Sequence, residues 1–171
     1  MIRDNNFSTY TLNKEGMKAN AVFYPSEKLP SLPITTPFTF PFKIDKVCLS
    51  LDKMGWWNPL GGHTELGENW EEALIREADE EAGVEIKSIK VVGYVKIDHM
   101  PGSKTKGYPK TSILPITVSE INNYYQNWDS METKDRGLFS FDVAVELLNK
   151  RTDNNQMSEI FSYIISNNKN E

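Results

Sequence analysis

Cysteine is close to absent: Cys48 stands alone in 171 residues. No disulfide can form within the chain, and a reducing, cytoplasmic setting is expected. Histidine is nearly as scarce, with 2 in all, so no Cys/His cluster of zinc-site spacing can be assembled. Positive charge is also short. Nineteen Lys and Arg face 24 Asp and Glu, for a formal charge of -5, which argues against the basic surface that a nucleic-acid polymer needs. No stretch is long and apolar enough to span a bilayer, and Met1–Asn6 turns polar where a signal peptide requires an apolar core. These absences leave a soluble chain with no polyanion, membrane or zinc chemistry in view.

What is present suits a folded core: apolar residues make up 39%, with 4 Trp, 7 Tyr and 8 Phe. The length fits one domain over residues 1–171. The first third reads as strand pieces, Thr9–Leu12 and Ala21–Tyr24, punctuated by Pro25, Pro30, Pro33, Pro37 and Pro41. Those prolines forbid helix and predict edges and loops, so residues 1–35 are expected to be a Pro-rich decoration. Val47–Leu51 predicts a central strand. Trp70–Ala82 lacks Gly and Pro and predicts a helix that Gly67 or Asn69 begins and Gly83 ends. Ile86–Ile97, Ser112–Val118 and Leu138–Phe141 predict strands, and Asp142 is placed to cap a helix through Leu148. A last amphipathic helix carries Met157, Ile160, Phe161, Ile164 and Ile165. This order predicts a sheet with flanking helices.

Carboxylates crowd the central helix and the loop before it: Glu65, Glu68, Glu71, Glu72, Glu77, Asp79, Glu80 and Glu81, with Arg76 the one cation among them. At roughly 100° per residue, Glu77, Glu80 and Glu81 share one arc beside an apolar stripe of Leu74, Ile75, Ala78 and Ala82. Like charges at that spacing cost an isolated helix about 0.2–0.5 kcal/mol per pair. Two readings account for the cluster. One is a solvated acidic face; the other is a site for a hard divalent cation, Mg²⁺ or Mn²⁺, which takes oxygen ligands.

The full spacing separates the two. Gly62, Glu68, Arg76-Glu77-Ala78, Glu80-Glu81 and Gly83-Val84 fill every specified position of G-x5-E-x7-R-E-U-x-E-E-x-G-U, U being apolar. The chain thus resembles the Nudix hydrolase family over Gly62–Val84. Trp57–His63 resembles the approach to that motif, and Arg136–Ser140 with the Asp142 helix the family's late strand and helix. The resemblance implies an α/β/α sandwich with a mixed sheet. It also implies metal-dependent cleavage of a nucleoside diphosphate linked to another group, by water attack on phosphorus.

By geometry and by resemblance, Glu77 and Glu81 are the leading metal ligands, with Glu80 a third ligand or the base that deprotonates water. Arg76 is expected to orient a glutamate through a bidentate bond, with Glu68 the partner. Gly62 would let the loop approach the metal and offer its carbonyl, and Gly83 would end the helix. The family also places an acid before the late strand; Glu132 holds that distance from Phe139, with Asp135 and Glu120 as alternatives. Trp57 is a candidate for base stacking, and Lys104 and Lys106 for phosphate contact if their loop closes over the site. His63 and His99 receive no role. Expected partners are a small nucleotide diphosphate derivative, whether a nucleoside triphosphate, ADP-ribose or a nucleotide sugar, and a second copy if the N-terminal segment serves as a dimer edge. The rival is a catalytically silent Nudix-fold sensor.

Overall fold

The computed structural model describes residues 7–167; the polar Met1–Asn6 lies outside them. Two strands, β1 (Thr9–Lys14) and β2 (Met17–Pro25), form a hairpin whose two-residue turn takes positive φ at both Glu15 and Gly16, as the twist of a tight hairpin demands. There follow β3 (Phe38–Lys43), β4 (Lys46–Asp52), β5 (Trp57–Asn58) and β6 (Leu60–Gly61), then α1 (Trp70–Ala82). The long strands β7 (Val84–His99) and β8 (Thr111–Tyr124), then β9 (Thr133–Ser140), α2 (Phe141–Asn149) and α3 (Gln156–Asn167), complete the chain. The sheet runs β1-β2-β7-β8-β3-β4-β5, with β6 on β3 and β9 on β4. Only β3 and β8 pair in parallel among the described strands, so the sheet is mixed.

Strand alternation sorts the core into two layers. In β4, Val47 and Leu49 point to a core that Leu148, Ile160, Phe161 and Ile164 of α2 and α3 close. Cys48, between them, points to the other core with Leu60, Leu74, Ala78 and Ala82 beneath α1. Helices on both faces of a mixed sheet give the expected α/β/α sandwich. Among the described residues, no helix is long and apolar enough to cross a membrane.

Two expectations change. The proline-bearing stretch was expected at edges and in loops, yet Pro41 lies inside β3, between β8 and β4, and pairs with Ser119. On its other side, β3 pairs with β6 at Phe38 and Thr39 and with β4 at Phe42 and Lys43. Pro41 falls in the break between them, where no partner strand needs the missing N–H. Pro115 in β8 uses the same device, lying between the Ile34–Ile113 bridge and the first β3 pair at Ile116. Nor is the segment up to residue 35 a mere appendage. Ala19, Ala21 and Phe23 of β2 are fully or almost fully buried in the main core.

Candidate active site

Local chemistry fixes α1 at both ends. The Asn69 side chain accepts from the N–H groups of Glu71 and Glu72 at 3.0 and 2.9 Å, and the Glu72 carboxylate accepts the Asn69 N–H at 2.9 Å. That is a reciprocal capping box. Gly83 ends the helix at φ 55°, where a Cβ would meet Trp128 at 2.5 Å. The buried arc is not the one expected: it comprises Ala73, Leu74, Glu77, Ala78 and Ala82, while Ile75 is 48% exposed. At roughly 100° per residue this arc is centred near Leu74 and takes in the positions of Glu77 and Glu81. Both acids therefore lie within the packed face instead of beside it.

Burial is the main reason that both carboxyls hold their protons more tightly than usual. Glu77 is 6% exposed; burial raises its pKa against the opposing pull of Arg76, with Glu132 and Glu80 adding repulsion. Glu81 is pushed up to about 8, again chiefly by burial, with Glu77, Glu132 and Asp52 contributing and only the Gly61 N–H pulling the other way. That N–H donates to Glu81 Oε2 at 3.0 Å. At Gly62 a Cβ would overlap the Glu77 carboxylate, so the absence of a side chain there lets the loop lie against the acids. Glu77, Glu80 and Glu132 each present a carboxylate oxygen, all within 4.8 Å of one another.

Arg76 is the counterweight. Its Nε and Nη2 donate to the two oxygens of Glu68 at 2.8 and 3.0 Å, a bidentate pair. Its Nη1 donates to Glu77 at 2.9 Å and Glu80 at 3.0 Å, and Nη2 also reaches the His63 carbonyl at 3.1 Å. The carboxylates raise the Arg76 pKa, Glu68 most of all, so one cation is shared among three acids. A charge deficit remains, and an all-oxygen donor set of this kind suits a hard divalent ion.

Other sequence-named residues lie elsewhere. The Trp57 ring packs edge-on to Phe139 at 4.8 Å, in the core beneath α2 and α3, the face opposite α1. Lys106 pairs with Glu15 at the β1–β2 turn, and the Lys104 stem lies against Gly16. The same loop instead sends Tyr108 to His63, its hydroxyl 2.5 Å from Nε2. Glu120 pairs loosely with Lys87 at 3.7 Å, and Asp135 accepts the Arg136 N–H. His99 is buried.

Sequence reasoning passed over three features. Asp52 accepts from the N–H groups of Met54 and Trp56 and from Asn58 Nδ2, each at 2.9 Å, and its charge acts on Glu81. A cavity of about 200 Å³ is lined by Leu12, Phe38, Leu114, Asn58, Arg151 and Gln156, among others. Thr133 and Arg136 bond to the end of α1. Only Arg136 carried a signal, as the first residue of the Arg136–Ser140 run that resembles the family's late strand.

Known structures share this fold. A Nudix hydrolase from Nitrosomonas europaea is similar in structure, with a TM-score of 0.61 and 18% identity over 80% of this chain and 90% of that one. The pyrophosphohydrolase BsRppH of Bacillus subtilis gives a TM-score of 0.57 and 23% identity over 76% and 77%. A Nudix-family hydrolase from Clostridium perfringens gives 0.51 and 22% over 78% and 96%. No curated protein matches the chain in sequence. At these identities the structures speak for the fold, but the family model of the NUDIX domain matches residues 48–161, most of the chain and all of the carboxylate cluster, and the protein therefore belongs to the Nudix family.

Proposed function

We propose that the protein is a metal-dependent hydrolase that cleaves the diphosphate linkage of a nucleoside diphosphate derivative by water attack on phosphorus. The observation that carries this reading is the convergence of Glu77, Glu80 and Glu132 within 4.8 Å, with Glu81 against the same loop and one arginine to offset them. A pyrophosphate could not approach such a cluster unaided, because like charges repel. Glu77, Glu80, Glu81 and Glu132, with the Gly62 carbonyl, would hold Mg²⁺ or Mn²⁺. When bound, the ion supplies positive charge to the phosphate oxygens and lowers the pKa of the attacking water. Arg76 holds Glu68, Glu77 and Glu80 in place, and the Gly61 N–H orients Glu81.

The cavity lies with Trp57 on the face of the sheet opposite α1: its apolar lining, including Leu12, Phe38, Leu114 and Met157, belongs to the core that α2 and α3 close. It is therefore separate from the carboxylate cluster. BsRppH is named a pyrophosphohydrolase, in keeping with the reaction class.

The test is incubation with Mg²⁺ against nucleoside triphosphates, ADP-ribose, nucleotide sugars and dinucleoside polyphosphates, with products resolved by chromatography. Release of a nucleoside monophosphate or of pyrophosphate from one class is the expected result. Tight binding of a nucleotide without turnover, with all four glutamates intact, would support the sensor reading instead.

A further inference from the structure

The last turn of α1 ends without a basic residue of its own, leaving carbonyls that a helix cannot satisfy internally. Strand β9 supplies the partners. The hydroxyl of Thr133, itself 8% exposed, donates to the Glu81 carbonyl at 2.8 Å. Arg136 Nη1 donates to the Ala82 carbonyl and, at 3.3 Å, to that of Gly83, and its Nη2 donates to the Tyr125 carbonyl. The guanidinium is fixed sideways between two rings, 4.1 Å from the Tyr124 centroid and 4.8 Å from that of Trp128. The β4–β9 register shifts between Leu51 and Asp52, at the point where Asp52 pairs with Thr133.

The residue before Thr133 is Glu132, one of the three converging carboxylates. Its own loop gives it only local support, since Ser130 Oγ accepts the N–H groups of Glu132 and Thr133 at 3.1 and 3.2 Å. The bond that ties this loop to α1 next to Glu132 is therefore that of Thr133, with Arg136 three residues further on. We propose that Thr133 and Arg136 are positioning residues: by gripping the carbonyls of Glu81, Ala82 and Gly83 they fix Glu132 against Glu77 and Glu80. The acid-binding geometry of the site is then set jointly by a helix and by a strand that docks on its end. This rests on the hydrolase reading, in which those carboxylates hold the metal.

The experiment is a double-mutant cycle on Mn²⁺ affinity, read by electron paramagnetic resonance of free Mn²⁺, with thermal midpoints and kcat/KM measured alongside. Thr133→Val removes the hydroxyl and keeps the shape; Glu132→Gln removes the loop charge. Each alone is expected to weaken Mn²⁺ binding by about tenfold, the range seen when a group that orients a ligand is lost. Together they should weaken it by no more than about twofold beyond either one, because both act through the same carboxylate. Thr133→Ser should restore wild-type affinity. Arg136→Lys, which keeps the charge and loses the fork, provides a second variant should Thr133→Val fold poorly, and it should show the same coupling to Glu132→Gln. Multiplying effects, or a lowered thermal midpoint with unchanged Mn²⁺ affinity, would leave Thr133 and Arg136 as structural supports only and overturn the proposal. If the wild-type chain binds no Mn²⁺ at all, the hydrolase reading fails first and the positioning role with it.

Discussion

At the scale of single residues, Glu81 carries the sharpest consequences, because the same burial that brings it into the site raises its pKa to about 8. The folded protein binds a proton there that an unfolded chain, with a carboxyl near 4.3, releases. For the metal-free protein the sign follows: this group's contribution to stability is fully present below about pH 4, falls as pH rises, and is lost above about 8. Glu81→Gln keeps the shape without the charge. Its thermal midpoint should therefore change less than that of wild type between pH 5 and 8, and should exceed it at the upper end. Activity should move the opposite way, falling by two or more orders of magnitude when a charge in direct contact with the reacting centre is lost. A variant that retained wild-type turnover at saturating Mg²⁺ would remove Glu81 from the site. Glu77 and Glu80 share its helix and present carboxylates that converge with Glu132, whereas the Trp57 ring is spent on Phe139 in the opposite core.

At the scale of elements, the loop between β7 and β8 carries Lys104 and Lys106, candidates for phosphate contact only if it closes over the site. Its glycines and lysines suggested a flap over phosphates, but Lys106 is paired with Glu15 and Lys104 rests on Gly16. Lys104→Ala with Lys106→Ala should change kcat/KM by less than about threefold, the scale of an exposed ion pair; a tenfold loss would show that the loop leaves the β1–β2 turn to meet substrate. Helix α1 was legible to the residue, because its cap, its stop and its helix formers are all local. The carboxylate spacing was legible for the same reason. Pro41 inside β3 was not, since whether a strand tolerates proline depends on which neighbour lies opposite, and that neighbour is 78 residues away at Ser119. The partition of acids between solvent and core was hidden likewise. Periodicity gave the arc, but only the packing of Leu60 and Cys48 against Leu74 and Ala78 shows where its centre lies. The grip of Thr133 and Arg136 on α1 spans more than fifty residues, beyond any local pattern.

At the scale of the whole molecule, a chain of net charge -5 that gathers its acids at one point should gain stability from the ion that neutralises them. Mn²⁺ or Mg²⁺ at a hundredfold excess over its dissociation constant should add about 2.7 kcal/mol, seen as a thermal midpoint that rises with metal concentration and returns to baseline with a chelator. A midpoint that ignores the metal, or one that rises equally in a Glu77→Gln, Glu81→Gln variant, would count against a specific site. The single thiol gives a second view of the same event. Cys48 lies fully buried under α1 with its pKa pushed up to about 12, mainly by burial, so in the closed molecule it is inert to alkylating or disulfide reagents. Its labelling rate is then a clock for how often that helix lifts from the sheet. The clock should slow when the divalent ion is added, because the ligands on α1 and the acid on the facing loop would have to part before the sulfur could be reached.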